Sequence, residues 1–380
     1  MNVEEKIKSS VNPPLGGRGA GLRIIIAGGG TGGHIFPAIA IANALKRQAP
    51  QTEILFIGAS GKMEMERVPQ AGYKIEGIEI AGYNRSSLIK NVLLPFKLLY
   101  SFVQVSKLIK NFKPDAVIGV GGYSSFPVLR YAQARGIDTY IHESNSFAGK
   151  SNILLGKKAR RIFTATEGMQ KFFPAGKIVI SGNPVRQSIA SDKVSKKEAL
   201  DFFGLEETKK TVLSLGGSLG AQSINEAIAK NLEAFSQGNL QLIWQTGKPY
   251  LQQALAAGNG RKEIVVKDFI SQMEYAYAAA DIVISRSGAM AIAELCVVQK
   301  PVIFVPYPFA AEDHQTENAK KLVEINAALM IPNADVQEKL IPALLDLSSN
   351  ESQQQGLKKN IATMAVLNAD EIIARTVLND

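Results

Sequence analysis

Residues 28–34, Gly28-Gly29-Gly30-Thr31-Gly32-Gly33-His34, combine a backbone stripped of side chains with a single titratable ring. Arg23 to Ala27 ahead of them is a short β-branched apolar run, the pattern of a buried strand. From Pro37 onward Ile39, Ala42 and Leu45 recur at helical spacing, so the order is strand, glycine turn, helix. Such a turn aims unpaired backbone N–H groups and the positive end of a helix dipole at one crevice. A phosphate is the natural occupant, and His34 sets an imidazole at its mouth. Read alone, the glycines also allow a tight turn with no ligand. A dinucleotide site is disfavoured. The GxGxxG spacing is met only by ignoring Thr31-Gly32, and the next apolar run, Glu53–Ile57, ends in Gly58-Ala59-Ser60 with no acidic residue.

The second half of the chain repeats the arrangement. Thr211–Leu215 reads as a strand, Gly216-Gly217-Ser218-Leu219-Gly220 as a glycine turn, and Gln222 onward as a helix. Ser285-Arg286-Ser287-Gly288-Ala289-Met290 is a further strand-to-helix turn, with Glu294 inside the helix that follows. A carboxylate there can accept the paired hydroxyls of a ribose, although a solvated helix residue fits the position too. Ala311 to Asn318, AEDHQTEN, packs many hydrogen-bonding side chains into one helix start, which suits the hydroxyls of a sugar. The three histidines, His34, His142 and His314, have no paired spacing that would make a zinc site. No GxSxG elbow, Walker lysine or CxxC occurs.

These loops need a scaffold that brings them to one edge. In the first half, Arg23–Ala27, Glu53–Ile57, Lys74–Ile80, Ala116–Gly119, Thr139–His142 and Arg161–Thr164 read as strands separated by helical patterns. In the second, Gln241–Trp244, Glu263–Val266, Ile282–Ser285, Pro301–Val305 and Ala328–Ile331 join Thr211–Leu215. Strand and helix alternating in this way predict two α/β units with parallel sheets. Ligands of such sheets bind at the carboxyl ends of the strands, which singles out Gly28–His34, the GVGGYSS loop at 119–125 and the HESN loop at 142–145. Ser181 to Arg186, SGNPVR, reads as the hinge, and a last helix from about Asp370 to Leu378 is placed to brace the first unit.

At 380 residues, with 46% hydrophobic and 20% charged residues, the chain has the composition of a soluble globular protein with two domains. One cysteine, Cys296, in an apolar helix pattern argues for a reducing compartment and a packed core thiol. Residues 1–21 are polar with no apolar core, so they read as a disordered leader and not a signal peptide; no segment has the ~20 apolar residues of a membrane span. The net charge of +9 is unevenly spread, +14 over residues 1–186 and −5 over the rest. The basic half calls for an anionic partner. Nucleic acid lacks any recognisable motif, which leaves an anionic membrane surface. Between two strands, Tyr83 to Tyr100 interleaves Arg85, Lys90 and Lys97 with Leu88, Leu93, Leu94 and Phe96. That mixture suits a segment lying in a bilayer interface. An ordinary buried helix with three solvated charges fits the same residues, and the surrounding charge favours the membrane.

Seven motifs in order, GGGTGGH, GVGGYSSFP, HESNSFAGKSN, GNPVR, GGSLGAQSIN, SRSGAMAIAE and EDHQTENA, resemble the MurG family of N-acetylglucosaminyltransferases, which make lipid II for peptidoglycan. The resemblance spans residues 22–375. It implies a GT-B fold, two Rossmann-like domains whose sheets face each other across a cleft. Residues 22–185 would take the undecaprenyl-diphosphate-linked MurNAc-pentapeptide acceptor at the cytoplasmic face of the inner membrane, and 186–365 would take UDP-GlcNAc. The family places Thr31, Gly32 and Gly33, with Gly121, Gly122 and Tyr123, at the acceptor diphosphate, and makes His34 a candidate base. Asn145 and Arg186 would lie near the donor sugar and diphosphate, and Ser218 near the phosphates. Ile270 would face uracil through its backbone and Glu294 the ribose. Ala289 would approach the sugar through its backbone and Gln315 through its side chain. The chain departs from some members in having His314-Gln315 where they carry two glutamines.

The chemistry implied is an inverting displacement of UDP by the 4-hydroxyl of MurNAc, with a base removing the hydroxyl proton. No cofactor is required, and with no DxD motif a divalent cation is possible but not implied. Two other functions share the architecture. A sugar-nucleotide epimerase would need carboxylates in the cleft and no lipid-binding face. A non-catalytic nucleotide-sugar-binding scaffold would keep Glu294 and Ser218 without needing His34.

Overall fold

The computed structural model describes residues 21–80, 94–191, 193–217, 219–310 and 313–380. Residues 1–20 of the expected leader, Arg85, Leu88, Lys90, Leu93, the side chain of Leu94, and Ser218 lie outside the described residues. Two all-parallel sheets organise the rest. The first runs β3-β2-β1-β4-β5-β6-β7, with β1 Arg23–Ala27, β2 Glu53–Ala59, β3 Lys74–Ile78, β4 Ala116–Gly119, β5 Asp138–Glu143, β6 Arg161–Thr164 and β7 Ile178–Ile180. The second runs β10-β9-β8-β11-β12-β13, with β8 Lys210–Leu215, β9 Leu240–Gln245, β10 Ile264–Lys267, β11 Ile282–Ser285, β12 Val302–Phe304 and β13 Leu329–Met330.

The strand sequences follow from burial on both faces. In β1, Ile24 and Ile26 join the apolar cluster on one side of the sheet while Ile25 and Ala27 join that on the other. A central parallel strand is covered twice, so it reads as a continuous apolar run and not as an alternating one. Val212 and Leu213 of β8 divide between two clusters in the same way. β7 was not expected: three half-exposed residues at a sheet edge carry too short a pattern to declare themselves.

In each sheet the strand order reverses once, between β1 and β4 and between β8 and β11. Side chains and loops diverge there, opening a crevice at the carboxyl ends. The first glycine turn follows β1 and the 120–124 loop follows β4; the second glycine turn follows β8 and Arg286–Gly288 follows β11. All four loops sit at reversal points.

The final helix, Ala369–Asn379, crosses back to the first domain. Ile373, Ala374 and Val377 enter the cluster of Ile24, Ile41 and Leu45, and Arg47 Nη2 lies 2.8 Å from Asp370 Oδ2. Among the described residues no helix is long and apolar enough to cross a membrane.

Candidate active site

The helix after the first glycine turn begins at Gly32, earlier than the periodicity from Pro37 suggests. Thr31 is its N-cap in extended conformation, so Gly32 and Gly33 present first-turn N–H groups that have no intrahelical acceptor. Glycine is a poor helix former, and the fixed loop around it compensates. Gly29 N–H donates to the Gly121 carbonyl at 3.3 Å, and Ser125 Oγ lies 2.8 Å from the carbonyls of both Ala27 and Gly121. Gly122 has φ +86°, and a Cβ there would stand 2.3 Å from the Gly29 oxygen. Gly121, at φ +96°, would place a Cβ 2.7 Å from the His34 ring. Only glycine permits this approach of loop to loop and of loop to ring.

His34 stands in that first helical turn. Its Nδ1 is 3.2 Å from the Gly29 carbonyl. A carbonyl can only accept, so Nδ1 carries the proton and the neutral ring keeps its lone pair on Nε2. Burial lowers the pKa from 6.5, offset in part by the Gly29 bond and by the charges of Glu143 and Glu64. The ring is therefore a neutral acceptor at neutral pH. His142 is buried completely, and desolvation pushes its pKa down to about 4.

Two carboxylates brace the loops, and sequence reasoning missed both. Buried Glu64 accepts Gly30 N–H at 2.8 Å and Ala59 N–H at 2.9 Å, so the Gly30 donor is spent inside the fold. Buried Glu143 accepts Asn145 N–H and Gly149 N–H at 3.1 Å and Asn152 Nδ2 at 2.8 Å. Glu143 stood in the HESN motif and ends a strand, a position where an acid that pairs with backbone N–H groups is legible. Glu64 carried no such sign.

Across the hinge, Arg186 and Glu294 meet. Arg186 Nη2 lies 3.3 Å from Glu294 Oε1, and the Tyr277 hydroxyl donates to Glu294 Oε2 at 2.9 Å. The Arg186 guanidinium also covers the Phe36 ring of the first domain at 4.3 Å. Asn183 Nδ2 lies 3.1 Å from the Ser144 carbonyl and 3.4 Å from that of Ala289, beside Asn145. Ile270 N–H donates to Gln245 Oε1 at 3.3 Å, while Gln245 Nε2 donates to the Gly217 carbonyl at 2.9 Å. Gln245 thereby ties the Ile270 loop to the second glycine turn. Gln315 Oε1 accepts Tyr307 N–H at 3.0 Å. Asn145, Arg186, Ala289 and Glu294 thus come together at the hinge, with Ile270 on a loop and Gln315 in the first turn of helix His314–Glu324. Thr31, Gly32, Gly33, Gly121, Gly122 and the exposed Tyr123 line the other wall with His34. Cys296 is buried with its thiol pushed up to about 12, a core residue and not a nucleophile. Among the described residues no three His, Cys, Asp or Glu side chains are grouped to hold a metal ion.

Such a site can hold two phosphorylated ligands on facing loops with a neutral imidazole between them. Comparison with known proteins shows the family. Residues 24–164 match the glycosyltransferase family 28 N-terminal domain and residues 211–373 its C-terminal domain. The chain is 51% identical over 359 residues to the UDP-N-acetylglucosamine--N-acetylmuramyl-(pentapeptide) pyrophosphoryl-undecaprenol N-acetylglucosamine transferase of Phocaeicola vulgatus, covering 94% of this chain and 96% of the relative. The protein of the same name in Bacteroides fragilis is 49% identical over 366 residues, covering 95% and 96%. The crystal structure of Acinetobacter baumannii MurG superposes with a TM-score of 0.71 at 28% identity, over 94% of this chain and 99% of that one. A UDP-N-acetylglucosamine 2-epimerase reaches 0.67 at 14% identity over 94% and 95%, a likeness of fold alone. The chain belongs to the MurG family, N-acetylglucosaminyltransferases built from the two domains of glycosyltransferase family 28.

Proposed function

We propose that this chain transfers GlcNAc from UDP-GlcNAc, with inversion, to the 4-hydroxyl of MurNAc in undecaprenyl-diphospho-MurNAc-pentapeptide (lipid I), giving lipid II. The observation that carries the reading is the His34 ring, held neutral with Nε2 as its acceptor beside a glycine loop that suits an acceptor diphosphate. The MurNAc hydroxyl oxygen attacks the anomeric carbon as its proton passes to Nε2, and the anomeric C–O bond breaks with its electron pair leaving on UDP. Glu294 takes the ribose hydroxyls and Arg186 the diphosphate, so donor binding exchanges the Arg186–Glu294 contact for two contacts with UDP. Charge growing on the leaving group meets Arg186, Ser218 and the N–H groups of the glycine turn, so no cofactor is required. Ile270, Ala289, Gln315 and Asn145 shape the rest of the donor pocket, and Thr31, Gly32, Gly33, Gly121, Gly122 and Tyr123 receive the acceptor diphosphate.

The same reading docks the first domain peripherally on an anionic membrane, the inner membrane's cytoplasmic face. Phe96, Leu99, Tyr100 and Val103 of helix Leu94–Phe112 follow the i, i+3, i+4, i+7 spacing, and each is at least 55% exposed. An exposed apolar stripe of this kind beside Lys97 fits a lipid headgroup layer. The decisive assay incubates the chain with UDP-GlcNAc, with and without the lipid-linked acceptor. Transfer that requires the acceptor supports the reading; conversion of UDP-GlcNAc without it makes the protein an epimerase, and binding without turnover makes it a scaffold.

A further inference from the structure

Helix Glu64–Gln70, between β2 and β3, reaches both sides of the cleft. In its first turn Glu64 holds the first glycine turn by accepting Gly30 N–H. One turn on, Arg67 crosses to the second domain: its guanidinium carbon stands 4.6 Å from the centre of the Phe269 ring. Nη1 donates to Gln70 Oε1 at 3.2 Å, while the buried Nε has no hydrogen-bond partner among the described residues. A cation over an aromatic face is attracted by the ring, more strongly where water is excluded. The contact mirrors that of Arg186 on Phe36, with the cation now in the first domain and the ring in the second. Phe269 stands one residue before Ile270, on a stretch fastened to the end of β9. Gly247 N–H donates to the Asp268 carbonyl at 3.1 Å, and Ile270 N–H to Gln245 Oε1. A nucleotide base that takes the Ile270 N–H must release it from Gln245, and the peptide that turns to do so carries the Phe269 ring with it.

We propose that Arg67 is a positioning residue that couples the two ligands through its contact with Phe269, an inference that rests on the transfer reading above. Arg67 is none of the residues assigned to either ligand. Its neighbours are one step from both: Phe269 adjoins the seat of the donor's base, and Glu64, on the same short helix, fixes the turn that takes the acceptor diphosphate. A single cation on a ring is weak enough to part and re-form, which suits a contact that is made and broken in each cycle and not a permanent joint. For transfer the two ligands must meet between the walls of the cleft, so each favours the approach that the Arg67–Phe269 contact holds. By linkage each then tightens the other by the same factor. The contact becomes evidence of coupling only when its loss changes that factor, and this is what the experiment reads.

The test titrates UDP, which binds without turnover, into the parent chain and its variants by calorimetry, with and without a saturating lipid-linked acceptor. Arg67 and Phe269 are both half-buried, so substitution at either opens no core. In the parent the acceptor lowers the Kd of UDP about fivefold, the low end of ordinary coupling between sites. Arg67→Met keeps the apolar stem without the charge, and Phe269→Leu removes the ring from the other side; each brings the factor to about twofold or less. Arg67→Lys, which still offers the ring a cation, retains most of it. Without acceptor the Kd of UDP stays within twofold of the parent in Arg67→Met. A parent factor of one, a factor that survives Arg67→Met, or equal loss in Arg67→Met and Arg67→Lys overturns the inference. A Kd raised in Arg67→Met even without acceptor overturns it too, because Arg67 then only supports the donor pocket. Failure of the parent to transfer GlcNAc to the acceptor instead overturns the transfer reading, and the inference with it.

Discussion

Arg186 joins the two domains through two contacts at once: its guanidinium is 3.3 Å from the Glu294 carboxylate and 4.3 Å from the centre of the Phe36 ring. Phe36 is two residues beyond His34 on the same helix, so the donor pocket and the candidate base are linked through a single side chain. With Glu294 also bonded to Tyr277, both side chains proposed to meet UDP are held in place.

Replacing Glu294 by Ala should therefore raise the dissociation constant of UDP about tenfold or more, as a charge-assisted hydrogen bond is worth ~1.5–3 kcal/mol. Calorimetric titration reads this directly. Unchanged UDP affinity would remove Glu294 from the ribose site.

The contact of the two first-domain loops makes a second expectation. Gly122→Ala adds left-handed strain, ~1–3 kcal/mol, and a clash with the Gly29 carbonyl. Gly136→Ala, at φ +72° with nothing near its Cβ, adds the strain alone. Thermal unfolding should rank Gly122→Ala as clearly the less stable, with acceptor turnover lost and UDP binding kept. Equal melting temperatures for the two would mean that the loops are not locked together.

For the membrane, the triple variant Phe96→Ser, Leu99→Ser, Val103→Ser should lose flotation with anionic vesicles, because about 25 cal/mol is forfeited for each Å² of apolar surface no longer buried. Binding that remains should weaken further with salt as the basic residues are screened. A variant that floats like the parent would assign the stripe another role.

Chelation offers a fourth check. If, as proposed, Arg186 and backbone dipoles stabilise the leaving group, turnover after exhaustive EDTA treatment and dialysis should stay within twofold of the untreated rate. Loss of rate, restored by added Mg²⁺, would place a divalent ion in the reaction.

Much of the architecture was legible because parallel strands buried on both faces leave unbroken apolar runs such as Arg23–Ala27, and glycine turns punctuate them. What escaped had physical reasons. β7 is three residues at an edge, and Gly32 and Gly33 begin a helix against their own propensity because the loops around them are fixed by tertiary contacts. At the site, glycines and histidine were visible by type, whereas the partners that hold them were not. Glu64, Gln245 and Tyr277 act through contacts between residues distant in sequence, and no local pattern marks those.

The proposed mechanism turns on His34. Its pKa is lowered from 6.5, so the protonated, inactive ring is populated only below that value. The parent's kcat/KM should rise with pH through a midpoint below 6.5 and then level off. The measurement is the pH–rate profile of His34→Ala beside that of the parent. With His34 as the base, kcat falls by roughly 10²–10⁴, the scale of general-base catalysis, the acid limb disappears, and UDP affinity holds. An acid limb that survives the substitution, with the loss confined to the acceptor KM, would contradict it and leave His34 as a residue that only orients the acceptor.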